Sequence, residues 1–469
     1  MARPALILAG YGIGDSLQIT VESQRAIAKA ARVFSIGIPP NLRALMMQAE
    51  AIFVEESKRG GEILHPPGTV GETGQLLDRR AARQAQMAGS EALGRELDEI
   101  RAEVEASRGA DDAAYINRMI TIQRRLAAAG RVTLFASNYK PAFVAGSAML
   151  GLAKILENME IGHNVMHGQW DWMNDPEIHS SNWEWDTAQP AEQWKHSHNY
   201  IHHQFTNVLG HDNDIGYGVL RMAREQKWHP VNLGQPVYNA LLASLFQWGV
   251  ALHDLDIERI RKGEKDPKEM KRQLRQIVRK GRNQILKDYV VYPALSGKQW
   301  KSTMKANATA NLARNLWSYM IIFCGHFPDG ALHFTEEELE DETRPEWYLR
   351  QILGAANFTG SPLLHILSGN LGYQIEHHLF PDLPSNRYAE ISVEVRELCE
   401  KYDIPYTTGP LHRQYGQALR TIMKLSLPNK FSESDQPEPP SPVRERRRKT
   451  DEERPHRRPE TGAYARKSA

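Results

Sequence analysis

Cysteine is nearly missing from this chain. Cys324 and Cys399 are the only two in 469 residues, and two thiols so far apart provide no disulfide framework. Long hydrophobic runs are missing too. No stretch reaches the ~18 uninterrupted apolar residues that mark a spanning helix on sight, and the mean hydropathy is −0.53. Nor does either sign of charge dominate: 58 Lys and Arg stand against 57 Asp and Glu, a formal net charge of +1. That balance excludes binding of nucleic acid along the whole chain, and no nucleic-acid partner is expected. No secretory signal opens the sequence, because Met1-Ala-Arg-Pro leads into a strand-like run and a glycine turn.

Composition divides the chain into four parts. Residues 1–58 begin as strand, turn and helix: Ala5–Leu8, then Gly10-Tyr-Gly12-Ile-Gly14, then a helical pattern over Val21–Ala31. The third glycine is misplaced for a dinucleotide-binding turn, and no acidic residue ends the second strand. Residues 59–92 are polar, glycine-rich and then charged, as in a linker. From Leu93 to Arg131 apolar residues recur at helical spacing among charges, which predicts a surface helix ahead of the main body. The main body is expected over 93–428. Beyond 429 the composition is that of a disordered tail, and residues 443–469 hold ten Lys/Arg against five acids.

Apolar stretches lie at 141–156, 237–252 and 312–327, with a mixed one at 352–372. Residues 256–288 carry twelve Lys/Arg, a cytoplasmic marker when it adjoins a membrane. If 237–252 crossed fully, this basic loop would lie opposite the histidines that precede it. A re-entrant or interfacial segment at 237–252, with crossings near 288–298 and 312–327, removes the conflict. Buried helices of a soluble protein are the alternative on hydropathy alone.

The histidines decide between these readings. Eight of the 18 fall within 163–167, 196–203 and 374–378, where chance would place fewer than one. His163 and His167 stand at i, i+4 on one helix face, and so do His198 and His202, with His203 beside them. In the third window Gln374 aligns with His377 and His378. Neutral imidazoles bind iron well and leave positions open for O₂, and breaking an unactivated C–H bond needs such an oxidant. Zinc takes three or four ligands, fewer than this set offers. The Glu-plus-ExxH pattern of soluble diiron bundles is not present.

Three strings carry a resemblance: GHNVMHG, HNYIHH and QIEHH. They are similar to the three histidine boxes of the membrane fatty acid desaturases, and with FCGHFPDG and GNLGYQIEHHLFPDLPSNRY they most resemble mycobacterial-type stearoyl-CoA 9-desaturases. The resemblance runs from about 93 to 428. It implies a mainly α, membrane-embedded helical fold with a cytoplasmic diiron cap, and a bent tunnel for a long fatty acyl chain. It implies two Fe ions as cofactor, O₂ as co-substrate, membrane lipid around the chain, and electrons from a separate reductase or ferredoxin-type donor. The ligands it implies are His163, His167, His198, His202, His203, His377 and His378, with His326 as a further one. Gln374 stands where relatives have a histidine, and would bind weakly or through water. His196 and His365 match no ligand position. Glu160, Asp212, Asp214 and Glu376 are candidates to hold the outer nitrogens of the ligands. Trp170, Trp172, Trp183, Trp185 and Trp194 would suit an interfacial belt, or core packing in a soluble protein. A hydroxylase or related oxygenase on the same scaffold, or a catalytically silent lipid-binding membrane protein, remains open. Separately, ALILAGYGIGDSLQITVESQRAIAKAARVFSIGIPP is similar to the start of tetrapyrrole-methylase-type methyltransferases. The rest of such a domain does not follow, so 1–58 reads as a small truncated α/β appendage.

Overall fold

The computed structural model describes residues 91–429, apart from 256–259, 261–262, 264 and 340–341. The appendage expected at 1–58, nearly all of the linker and the basic tail lie outside the described residues. What is described is mainly α, with one short parallel pair of strands, Asn357–Thr359 beside Thr408–Pro410.

Where one surface helix was expected, two form, over 91–107 and Ala110–Thr133. The chain breaks at Gly109, whose N–H donates to the Asp112 carboxylate at 3.0 Å and starts the second helix. The first helix is not a surface element on its apolar side. Leu93, Leu97, Ile100 and Val104 form one stripe and pack with Tyr348, Ile352, Ile375, Tyr388 and Ile391 in the largest core. That core backs the third histidine window.

The scaffold of the site is a layer of long helices: Ala110–Thr133, Lys140–Leu156 and Trp300–His326. The first two cross closely at Gly146, where a Cβ would lie 2.7 Å from the Leu134 side chain. Buried charge ties the layer to the segment after Leu286. Asp288 accepts from Arg131 at 2.7 Å, from Lys154 at 2.9 Å and from Asn311 at 3.1 Å. Three cationic or amide donors on three elements thus converge on one carboxylate, which satisfies its charge inside the protein.

The apolar stretches are helical, but no helix among the described residues is long and apolar enough to cross a membrane. Residues 237–252 fall into two helices, Gln235–Ser244 and Phe246–His253, that meet at Leu245 with φ −113° and ψ 25°. The 288–298 region is a π-helical turn, Lys287–Val291, followed by Tyr292–Leu295. The 312–327 stretch is the second half of Trp300–His326. That helix turns Asn307, Asn311, Arg314, Asn315 and Ser318 inward and leaves Leu312 and Leu316 each 44 % exposed. These five polar residues face the protein, while Lys301, Lys305 and Thr309 are exposed, and an averaged hydropathy does not distinguish the two sets.

Candidate metal centre

The first two histidine windows sit on irregular helix ends, and the third on a short α-helix. Lys140–Leu156 runs without a break into a π-helical segment, Glu157–His163, and then Asn164–Met166, so that His163 and His167 emerge where the winding loosens. Ala191–Trp194 likewise continues into the π-helical segment Lys195–His202, which carries His198 and His202. Such wide turns are uncommon and concentrate at functional sites. His326 is the last residue of Trp300–His326, and Gln374–Leu379 carries Gln374, His377 and His378. Gly325 lets the last two elements touch: a Cβ there would lie 2.8 Å from the Gln374 side chain.

These elements bring the eight predicted histidines together in two groups. His163, His167, His198 and His377 have ligand nitrogens within 4.8 Å of one another, and so do His202, His326 and His378. His203 lies between the groups. Its ring stacks on His378 at 4.4 Å and meets His167 and His377 edge-on at 4.7 and 4.8 Å, and neither of its nitrogens has a hydrogen-bond partner among the described residues. Gln374 approaches His326 with Nε2 3.0 Å from the imidazole Nε2.

The outer hydrogen bonds fix which nitrogen faces inward. His163 Nδ1 lies 3.0 Å from Asn164 Oδ1, and Asn164 Nδ2 is itself committed to the Glu160 carbonyl. His202 Nδ1 donates to Asp212 at 3.0 Å, and His198 Nδ1 faces Asp214 at 3.4 Å. His378 Nδ1 donates to Gln351 Oε1 at 3.2 Å, whose Nε2 donates to the His203 carbonyl. With protons on these Nδ1 atoms, the Nε2 atoms carry lone pairs. Yet Nε2 of His163 lies 3.3 Å from Nε2 of His198, and Nε2 of His378 lies 3.2 Å from Nε2 of His326, which already accepts from Gln374 Nε2. Facing lone pairs at that range repel unless a cation lies between them. The donor set fits two bound cations.

Protonation state agrees. Burial holds His163 down to about 3 and His167, His203, His377 and His378 well below the ordinary imidazole value, so these rings are neutral at pH 7, the form that can ligate a metal. Burial lowers His202 too, but the adjacent Asp212 carboxylate outweighs it and the net shift is upward.

Four carboxylates were expected to orient ligands. Asp212 and Asp214 contact imidazoles, and Asp214 also lies 3.6 Å from His253. Glu160 and Glu376 contact none among the described residues. Glu160 accepts from Tyr115, Ser385 and Asn370, and Glu376 from Asn357 and Tyr406. Their places are taken by Asn164 on His163, by Gln351 and Thr206 on His378, and by Tyr388 on His377 at 3.4 Å. A belt of five tryptophans does not form either. Trp170, Trp185 and Trp194 are buried, and Trp194 stacks on His198 at 4.4 Å. His196 is exposed and stacks on Tyr200, and His365 packs between Phe358 and Tyr373, outside both groups.

A cavity with about 910 Å³ of unfilled space reaches His163 and His198 of one group and His202 and His326 of the other. Its walls are largely apolar, from Met159, Phe246, Val250, Ile322, Phe327 and Leu371. An apolar lining with a few converging polar groups suits a small-molecule ligand.

Residues 139–410 match the family model described as fatty acid desaturase, and all eight histidines lie inside that span. The chain belongs to the fatty acid desaturase family. This desaturase is 53 % identical over 360 residues to the NADPH-dependent stearoyl-CoA 9-desaturase of Mycobacterium tuberculosis H37Rv, a match covering 76 % of this chain and 84 % of that one. It is 25 % identical over 311 residues to the sn-1 linoleoyl-lipid 6-desaturase of Synechocystis, covering 64 % of this chain and 85 % of that one. The desaturase is thus an oxidoreductase acting on a fatty acyl chain, with a mainly α desaturase fold.

Proposed function

We propose that this desaturase introduces a cis double bond at the Δ9 position of a long saturated acyl group carried on CoA. The observation that carries the reading is the convergence of two imidazole groups on one apolar cavity. The name of the mycobacterial relative supports the CoA thioester and the position of the bond. The balance is simple. One O₂ takes two hydrogens from adjacent methylenes, and two electrons and two protons from outside, and leaves as two waters. A separate reductase or ferredoxin-type donor supplies those electrons.

His163, His167, His198 and His377 would hold one iron and His202, His326 and His378 the other, with His203 between them and Gln374 weakly bound or bound through water. Two iron ions with O₂ supply the oxidant that an unactivated C–H bond requires. The protein's share is positioning. Asp212, Asp214, Asn164 and Gln351 hold the inner nitrogens bare and aimed, and the apolar walls exclude water and lay the acyl chain across both groups.

The chain is also read as a multi-pass membrane protein, with the centre and the basic tail on the cytoplasmic side. Support comes from the inside-out polarity of Trp300–His326 and from the exposed Val144, Val237, Leu241 and Leu295, each more than half exposed. Expression in a host lacking the activity, with mass spectrometry that locates double bonds, tests the reaction. A double bond at carbon 9 is expected, and a hydroxylated product would assign the scaffold to an oxygenase instead. Metal analysis should return about two irons per chain, as in two-metal sites. Stoichiometric zinc in active protein would overturn the diiron assignment.

A further inference from the structure

The helix Pro267–Leu286 packs along one face alone. Met270 and Ile277 meet Ala188, Trp248, Ala251 and Leu255, and Gly281 lies against the Trp248 ring. Beside that packed face, Leu274, Val278 and Ile285 recur one and two turns apart and stay 37 %, 60 % and 47 % exposed. Further round the circumference come Lys268, Lys271, Arg275, Arg279 and Arg282, all exposed. The remaining flank carries Glu269, Gln276 and Asn283. The order around the helix is therefore packed, apolar, basic, and then amide and acid.

A solvated helix gains nothing from an exposed apolar stripe. A helix that meets an acidic protein through charge alone has no need of one bordered by arginines. An anionic bilayer matches both, taking the apolar side chains below its headgroups and the cations on its phosphates. The stripe also continues in the chain beyond the helix, because Val290, Val291 and Leu295 are about half exposed or more, at 51 %, 49 % and 62 %.

We infer that Pro267–Leu286 lies along the surface of an anionic bilayer, with Leu274, Val278 and Ile285 inserted and Lys271, Arg275, Arg279 and Arg282 on lipid phosphates. The inference rests on the membrane reading above and adds to it a specific element and a lipid charge. It also bears on substrate entry. Lys280 donates to the Gln189 carbonyl at 2.7 Å and Gln193 donates to Gln276 at 2.7 Å, so the helix holds the segment whose Trp185 and Trp194 line the cavity. Bilayer contact would set that wall at headgroup level, where an acyl chain with a polar carrier arrives.

Both native cysteines are buried, so a single introduced thiol can carry a polarity-sensitive fluorophore. Full-length Val278→Cys and Asn283→Cys proteins, labelled and presented to phosphatidylcholine bilayers with and without phosphatidylglycerol, test the inference. The label at 278 is expected to shift to the blue and to be quenched by nitroxides on the acyl chains, more so with the anionic lipid. The label at 283 should stay open to aqueous iodide. Adding Arg275→Glu, Arg279→Glu and Arg282→Glu should lower the affinity behind the 278 response by at least about tenfold while the melting curve is unchanged. If the chain sediments with bilayers but the two labels behave alike, the inference falls and the membrane reading stands. If it sediments with neither bilayer, both fall. A 278 label that responds to an acidic ferredoxin and not to lipid would replace the bilayer with a protein partner.

Discussion

Asp212→Asn is the sharpest test of how this centre is held. The Asp212 carboxylate accepts the His202 Nδ1 proton at 3.0 and 3.1 Å, the Asn207 N–H at 2.8 Å and the Asp214 N–H at 2.9 Å. An amide keeps one acceptor oxygen, so its NH₂ must point at one of these donors. Both oxygens lie beside His202 Nδ1, so either orientation leaves the imidazole one neutral acceptor in place of a carboxylate and sets the NH₂ against the Asn207 or the Asp214 N–H. Loss of such an outer partner typically costs about 10–100-fold in metal affinity or activity, equivalent to about 1.4–2.8 kcal/mol. The backbone N–H left unpaired costs about 1–3 kcal/mol of stability. The effect should be lopsided, because Asp212 holds His202 directly and reaches the His163 group only through Asp214, which faces His198. Chelator competition followed by metal analysis should show one iron lost early and the other retained, with product yield down at least about tenfold. Equal retention of both irons would refute the assignment of Asp212. Equal loss of both would refute the division into two groups.

His202→Ala should abolish desaturation and release iron, whereas His196→Ala, at an exposed position outside both groups, should keep a substantial fraction of activity; parallel loss in the two variants, measured with iron content and monodispersity, would show the second window to be misdrawn. Gly325→Ala should displace Gln374 from His326 and lower activity without unfolding the chain, since the new methyl group would sit 2.8 Å from Gln374 Cδ; unaltered kinetics and iron retention would show that Gln374 has no part in the centre. Burial raises Glu160 to about 8, despite hydrogen bonds from Tyr115, Ser385 and Asn370. Its protonated form stabilises the fold below the usual carboxylate range, and that contribution is lost as pH rises through 8. The melting temperature of metal-free protein should therefore fall with pH across this window more in the wild type than in Glu160→Gln, and parallel curves would remove Glu160 as the cause.

The convergence of the histidines was legible because the ligation proposed for them imposes spacing, and spacing survives in a sequence. His163 and His167, or His377 and His378, need only share a helix to be read. Their supports leave no such trace. Asn164, Gln351, Thr206 and Tyr388 are ordinary polar residues brought to the imidazoles by the tertiary fold. Glu160 misled for a local reason: residues three apart share a face of a regular α-helix, but the π-helical turn between Glu160 and His163 changes the phase, and the carboxylate faces Tyr115. Averaged hydropathy likewise carries no direction at Trp300–His326, where Asn307, Asn311 and Arg314 depress the mean although they point into the protein. Residue type left the tryptophans open between an interfacial belt and core packing, and Trp185 and Trp194 form part of the cavity wall.

Trp194 gives the centre an optical handle. Its indole lies face to face with His198 and edge-on to His163 and His167, each of these two at 5.4 Å, and all three rings belong to the same group. Among the described ring contacts it meets none of His202, His326 or His378. Paramagnetic iron quenches a nearby excited indole more strongly than a distant one, so the two halves of the centre differ in how much they dim this residue. The chain has ten tryptophans, and the difference between wild type and Trp194→Phe isolates the one that matters. Followed during iron addition, that difference signal reports the order in which the two groups fill, which metal analysis of the final protein leaves averaged.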